Sequence, residues 1–162
     1  MTRRTTLVVA AIAAAGAAVA LVLVLTRSSA TSDGADRAAV RVERTKLGPI
    51  LVDGHGHTLY LYLKDHHGTS ACYGACARIW PPVLASAAPV AGPGVAGAKL
   101  TTTRRSDHTR QLVYNGHPLY ALAADARPGE MDGEGFLGTW FVVSPAGDRV
   151  AKPGASSSPE GY

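Results

Sequence analysis

Both sulfurs of the chain fall in one stretch, HHGTSACYGAC, where His66 and His67 precede Cys72 and Cys76 by a few residues. Thiolates together with imidazoles suit Cu(I) or Zn. These four residues, with His55 and His57 just upstream, are therefore a candidate copper or zinc set. The same cysteines could instead close a disulfide or cycle as a dithiol. Four-residue spacing in a helical turn puts the two Cα atoms about 6 Å apart, within bridging range. The dithiol is the less favoured form, because C-x-x-x-C is not the C-x-x-C of thioredoxin-like enzymes. Neighbouring histidines in a Gly-containing loop also have a plainer reading, as solvated side chains.

The compartment weighs between these chemistries. Residues 7–25, LVVAAIAAAGAAVALVLVL, carry no charge and follow Arg3 and Arg4. A positive start before an apolar run is an export signal, and it predicts one N-terminal hydrophobic helix over residues 1–27. Retention as a transmembrane anchor and cleavage at Ser28-Ser29-Ala30 both fit its length. No cysteine stands directly after the run, so an attached lipid is not expected. Everything after it would be exported to an oxidising compartment, where an even pair of cysteines favours the disulfide. Arg3, Arg4 and Arg27 also account for most of the basicity. Without them 13 Lys and Arg face 12 Asp and Glu, a net charge of +1. A nucleic-acid partner is not expected from that balance. The cluster of Arg104, Arg105 and Arg110 reads as a solvated hairpin.

The elements that must position these residues are short strands. After a polar linker (residues 28–37), the folded unit spans 38–151, and 152–162 reads as a disordered tail. AAVRVERTKL and PILVD alternate or are β-branched, and KLTTTRR and RQLVY flank a hairpin turn. Asn115-Gly116 is a two-residue hairpin signal, and TWFVVS closes the series. One helical turn is expected between residues 71 and 79. An Ala/Gly/Pro-rich segment, 85–98, divides the unit in two, and the halves are related. At an offset of 60 residues Gly56, His57, Leu59, Tyr60, Asp65, Trp80 and Val83 meet Gly116, His117, Leu119, Tyr120, Asp125, Trp140 and Val143. Repeat one runs about 48–84 and repeat two about 108–144. The expected class is all-β, a small pseudo-symmetric sandwich or partly closed barrel built from the two repeats. In each repeat a long irregular loop separates Tyr from Trp, and such loops are usually functional or specially tied down.

The run Tyr60-x-Tyr62-x-x-Asp65, the later CYGAC with Trp80-Pro81-Pro82, and the paired arrangement resemble a family of bacterial envelope proteins, the secreted repeat of unknown function. Its members are described as predicted lipoproteins with a Y-x-[FWY]-x-x-D motif. The resemblance covers about residues 48–146 and implies an exported envelope domain with no assigned reaction. The chain departs from it at Leu122, where the second copy lacks its second aromatic, and in having no lipoprotein cysteine.

Recurrence at His57 and His117 marks hydrogen-bonding residues at a strand start. The Tyr60, Tyr120, Trp80 and Trp140 rings are expected in the core, with Asp65 and Asp125 capping the loop entrances. Cys76 aligns with Phe136, so it is expected to point inward. Glu130, Asp132 and Glu134 before Gly135 follow the start of a calcium loop, but position twelve would be Phe141, and an acidic turn is the expectation. The sequence contains no nucleophile elbow, zincin, haem-attachment or phosphate-loop motif. The expectation is thus a non-enzymatic, cofactor-free envelope domain that interacts with an envelope protein or ligand, or serves a structural role. It would contact the membrane through its N-terminal helix if that is uncleaved. The alternative is a metal-binding or electron-transfer accessory protein using Cys72, Cys76 and the nearby histidines.

Overall fold

The computed structural model describes residues 39–150. The expected hydrophobic helix and the whole linker lie outside the described residues, as does the tail from residue 152. Among the described residues eight strands and one α-helix occur, in the order β1 (Ala39–Thr45), β2 (Gly48–Asp53), β3 (Tyr60–Tyr62), α1 (Ala75–Ile79), β4 (Val90–Ala91), β5 (Leu100–Arg104), β6 (Arg110–Tyr114), β7 (His117–Pro118) and β8 (Trp140–Val142), with short 3-10 turns at Gly97–Lys99 and Phe136–Gly138. The strands form three small sheets, β2-β1-β4, β3-β8 and β5-β6-β7. The fold is all-β and built from the two repeats, as expected, and the described sheets form no closed barrel. The strands are too short for a continuous ladder and are joined instead by single bridges such as Tyr60↔Tyr120 and Leu84↔Gln111.

Local chemistry accounts for the hairpins. Thr45 turns its hydroxyl onto the β1–β2 connection, accepting from Leu47 N at 3.1 Å and donating to the Gly48 carbonyl at 2.9 Å. Asn115 (φ 50°) and Gly116 (φ 82°) both take positive φ between β6 and β7, as a type I′ turn requires. The Ala/Gly/Pro-rich segment is not a free spacer. Its β4 runs parallel to β1, pairing Ala39 with Val90 and Val40 with Ala91.

Alternation along the central strands serves two cores at once. Leu51, Leu59, Leu61, Leu112, Leu119 and Val143 pack into one cluster. Their neighbours Ile50, Val52, Tyr60, Tyr120 and Val142 pack into the other, with Cys72, Trp80 and Trp140. Successive side chains of a strand point to opposite faces, so this layer is covered on both sides.

The two repeats interleave. In the first half Leu51 N donates to the Val143 carbonyl (2.8 Å), Val143 N to Leu59 (3.0 Å) and Leu59 N to Leu51 (3.1 Å). In the second half Leu112 N donates to Val83 (2.8 Å), Val83 N to Leu119 (2.9 Å) and Leu119 N to Leu112 (2.9 Å). Each closed triangle of backbone bonds takes two strands from one repeat and its third member from the end of the other. Tyr60 and Tyr120 exchange reciprocal backbone bonds of 2.8 and 3.0 Å where the halves cross.

Candidate functional site

The repeat motif converges on that crossing, and its side chains pair between repeats. The Tyr60 hydroxyl donates to Asp125 Oδ2 at 2.5 Å, and the Tyr120 hydroxyl donates to Asp65 Oδ2 at 2.8 Å. Each aspartate also holds its own loop through Oδ1. Asp65 accepts from Ala71 N at 2.7 Å, and Asp125 from Asp132 N at 3.3 Å. The loop entrances are therefore capped, and the caps reach across the junction. Burial raises the carboxyl pKa of Asp65 and of Asp125. Burial, reinforced by the facing carboxylate, pushes both phenols well above the usual tyrosine value.

The tryptophans complete the site. Trp80 and Trp140 stack with ring centroids 4.0 Å apart and planes 3° from parallel. Tyr60 meets Trp80 edge-on at 5.2 Å, and Tyr120 meets Trp140 edge-on at 5.1 Å. Tyr62, half-buried, stacks on Trp140 at 4.1 Å, while its counterpart Leu122 packs on the same core as an aliphatic. Gly133 is pressed against this cluster. A Cβ there would lie 2.6 Å from the Trp80 ring and 2.7 Å from that of Tyr60.

Cys72 and Cys76 form a disulfide, their Cα atoms 5.3 Å apart across the start of α1. Cys72 is fully buried and Cys76 half-buried against the aromatic core, whereas its counterpart Phe136 tilts onto Trp80 and stays 45% exposed. Beneath the bridge lies a residue read differently from the sequence. Arg105 is not a solvated hairpin cation but is 3% exposed. Its guanidinium donates to Ser70 Oγ (2.8 Å), Gln111 Oε1 (2.5 Å) and the Cys72 carbonyl (2.8 Å), and lies over the Tyr73 ring at 4.3 Å. Arg105 Nε is buried without a hydrogen bond, and Asp107 Oδ2 stands 3.5 Å away as an ion-pair partner. Ser70 links this network to the motif, its hydroxyl 2.8 Å from that of Tyr120. The available signal was Gln111, a polar residue at the head of the apolar run Leu112–Tyr114, which in a buried strand requires a partner.

The structure does not gather the metal candidates. The bridge consumes both thiolates. His66 sits in a small loop closed by its backbone exchange with Thr69, and His67 takes positive φ beside it. His55 and His57 lie 6.4 Å apart between ring centroids, and His57 Nδ1 is 3.5 Å from Asp53 Oδ2. Among the described residues no cluster of three or more His, Cys, Asp or Glu is placed to hold an ion. The acidic loop is used internally: Glu130 pairs with Arg127 at 2.7 Å, and Glu134 accepts from Val142 N at 2.7 Å. An open cleft of about 490 Å³ between the β1–β2 turn and residues 129–132 is lined by charges of both signs, among them Glu43, Lys46 and Asp132.

No curated protein and no solved structure matches the chain. A family model described as a secreted repeat of unknown function matches twice, at residues 41–84 and 101–144. Each match opens seven residues before the repeat visible in the sequence and so takes in part of β1 and all but the first residue of β5. The two matches cover more than half of the chain, which belongs to the family of secreted repeats of unknown function.

Proposed function

We propose that this exported protein is a non-enzymatic domain of the cell envelope with an interaction or structural role, working without a cofactor. The observation that carries this reading is the crossed use of the motif. Tyr60, Asp65, Tyr120 and Asp125 spend their polar atoms on each other and on loop backbone, fastening one repeat to the other. Motif residues of that kind are explained by assembly of a rigid scaffold, and function then lies on the surface it presents. A net charge of +1 beyond the first 27 residues favours a protein or small ligand over nucleic acid as its partner. Among the described residues no helix is long and apolar enough to cross a membrane, and the anchor proposed is the segment 7–25.

The test is made on full-length chain exported by a bacterial host and recovered from its membrane and medium fractions. Free thiols, bound copper and zinc are measured on one sample, before and after mild reduction and addition of each metal. Oxidised Cys72 and Cys76 with no retained metal is the expected result. Stoichiometric metal that disappears in Cys72→Ser or His66→Ala would sink the reading in favour of a metal-handling protein. Recovery in the membrane fraction, rather than the medium, identifies a retained anchor.

A further inference from the structure

The rings at the repeat junction form a continuous oxidisable column. Tyr62, Trp140 and Trp80 stack in succession at 4.1 and 4.0 Å, with interplanar angles of 11° and 3°. Tyr60 and Tyr120 touch the two indoles edge-on at 5.2 and 5.1 Å. Indoles and phenols are the side chains of this disulfide-bonded chain that most readily give up one electron. Electron transfer between π-systems weakens exponentially with separation, so rings in contact act as one relay.

Contact alone does not make a resting place for an oxidising equivalent. A phenol stripped of an electron becomes a strong acid, and its oxidation is favourable only where the proton has a base to go to. Both buried phenols have one, Asp125 Oδ2 at 2.5 Å from Tyr60 and Asp65 Oδ2 at 2.8 Å from Tyr120. Both hydroxyls belong to fully buried residues, while Tyr62 opens the column to solvent. The Oδ1 atoms cap the loops, but capping does not call for the phenols. Phe would fill the same space, and each tyrosine hydroxyl adds a proton, with an acceptor for it, at the second carboxylate oxygen.

We propose that the column is a one-electron sink for oxygen-centred radicals outside the cytoplasm. The radical takes an electron at Tyr62 or Trp140 and is reduced to its anion. The vacancy passes along the stacked rings to Tyr60 or Tyr120. That phenol gives one electron to the column and its proton to the facing Oδ2, leaving a neutral tyrosyl beside a neutral carboxylic acid. A one-electron reductant of the thiol or enediol class returns the electron, and the carboxyl returns the proton. Only the O–H bond is broken and remade.

Pulse radiolysis of the full chain in detergent, with azide radical as the oxidant, tests this. Azide radical oxidises indoles first, so the indolyl band should decay and the phenoxyl band grow at a single rate independent of protein concentration. Asp65→Asn with Asp125→Asn keeps hydrogen-bonding capacity but removes the base, and should slow the transfer ~100-fold, the usual worth of a positioned proton acceptor. Transfer equally fast in that variant, or growth that scales with protein concentration, would overturn the proposal. Should the double variant fail to fold, wild-type protein frozen after the pulse serves. Paramagnetic resonance should show a tyrosyl whose oxygen carries an exchangeable hydrogen bond beyond that of Gly133 N on Tyr60 or the Ser70 hydroxyl at Tyr120, and a signal without that further bond would equally overturn the proposal.

Discussion

The loops that follow Asp65 and Asp125 start from the same cap and end on the same indole pair, yet opposite means fill them. Repeat one's loop is polar inside. It is cross-linked by Cys72–Cys76 and docked on Arg105, a residue of repeat two. Repeat two's loop is held by backbone and close packing, with Gly133 against the Trp80 and Tyr60 rings and Gly133 N donating to the Tyr60 hydroxyl at 3.3 Å. It too is anchored from the other repeat, by Thr58 Oγ1 on the Glu130 carbonyl (2.6 Å) and by the Gly129–Gly56 backbone bond (3.2 Å). Duplication thus fixes the junction, while each loop has found its own filling. The odd chemistry of the first loop is a local packing solution that the second loop reaches with a glycine.

The comparison breaks most visibly at Arg105. Arg105→Ala leaves Ser70, Gln111 and the Cys72 carbonyl buried without their donor, and should cost about 3–5 kcal/mol, at roughly 1–3 kcal/mol for each buried group left unsatisfied. Urea denaturation measures it, and a loss below about 1 kcal/mol would show that the cation is dispensable to the loop.

The crossed pairs come next. Tyr60→Phe and Tyr120→Phe should each cost about 1–3 kcal/mol, since one strips a partner from the buried Asp125 carboxylate and the other from the half-buried Asp65. If the junction is symmetric the two costs agree. If Arg105 also steadies Asp65, Tyr120→Phe is the milder. The pH dependence follows in sign. Burial raises both Asp65 and Asp125 above their unfolded value, so in that window the folded state binds more protons and stability falls as pH rises. These carboxyls therefore favour the fold most at acid pH, unlike salt-bridged ones. In alkali the two phenols hold their protons above the unfolded value of about 10, so stability falls again as pH rises past it. Tyr60 and Tyr120 should accordingly ionise only as the domain unfolds, read by phenolate absorbance against circular dichroism.

The disulfide is a smaller lever. Cys72→Ser with Cys76→Ser should cost about 2 kcal/mol, the chain-entropy value for so short a loop. A cost beyond that of Arg105→Ala would reverse the ranking, making the bridge rather than the cation the main support of repeat one.

Much of this was readable in the residues. Asn115-Gly116 gave its hairpin because two successive positive-φ residues have few alternatives. The offset of 60 located the rings because a repeated Trp is seldom anything but core. The crossing was not readable. A self-alignment matches Tyr60 to Tyr120 but is silent on whether Asp65 bonds the tyrosine 5 residues away or the one 55 away. Arg105 was missed for a related reason. Charge in a turn reads as solvated, and its burial depends on Ser70 and Gln111 arriving from two other segments.

The finest test sets one substitution at equivalent positions. Ala77 lies within α1, and Leu137, 60 residues later, sits in a short 3-10 turn at φ 50°, ψ 20° and is 79% exposed. Glycine in a helical segment costs about 1 kcal/mol relative to alanine. A branched side chain in the left-handed region costs roughly 1–2 kcal/mol, and little buried area would be lost with Leu137. Ala77→Gly should therefore destabilise the protein by about 1 kcal/mol, whereas Leu137→Gly should stabilise it by about 0.5–1 kcal/mol once the extra unfolded-state freedom of glycine is set against the relieved backbone. Opposite shifts in the thermal midpoint would show that equivalent stations of the two loops rest on different backbones. Destabilisation at both would mean that the Leu137 side chain makes a contact whose value exceeds its strain.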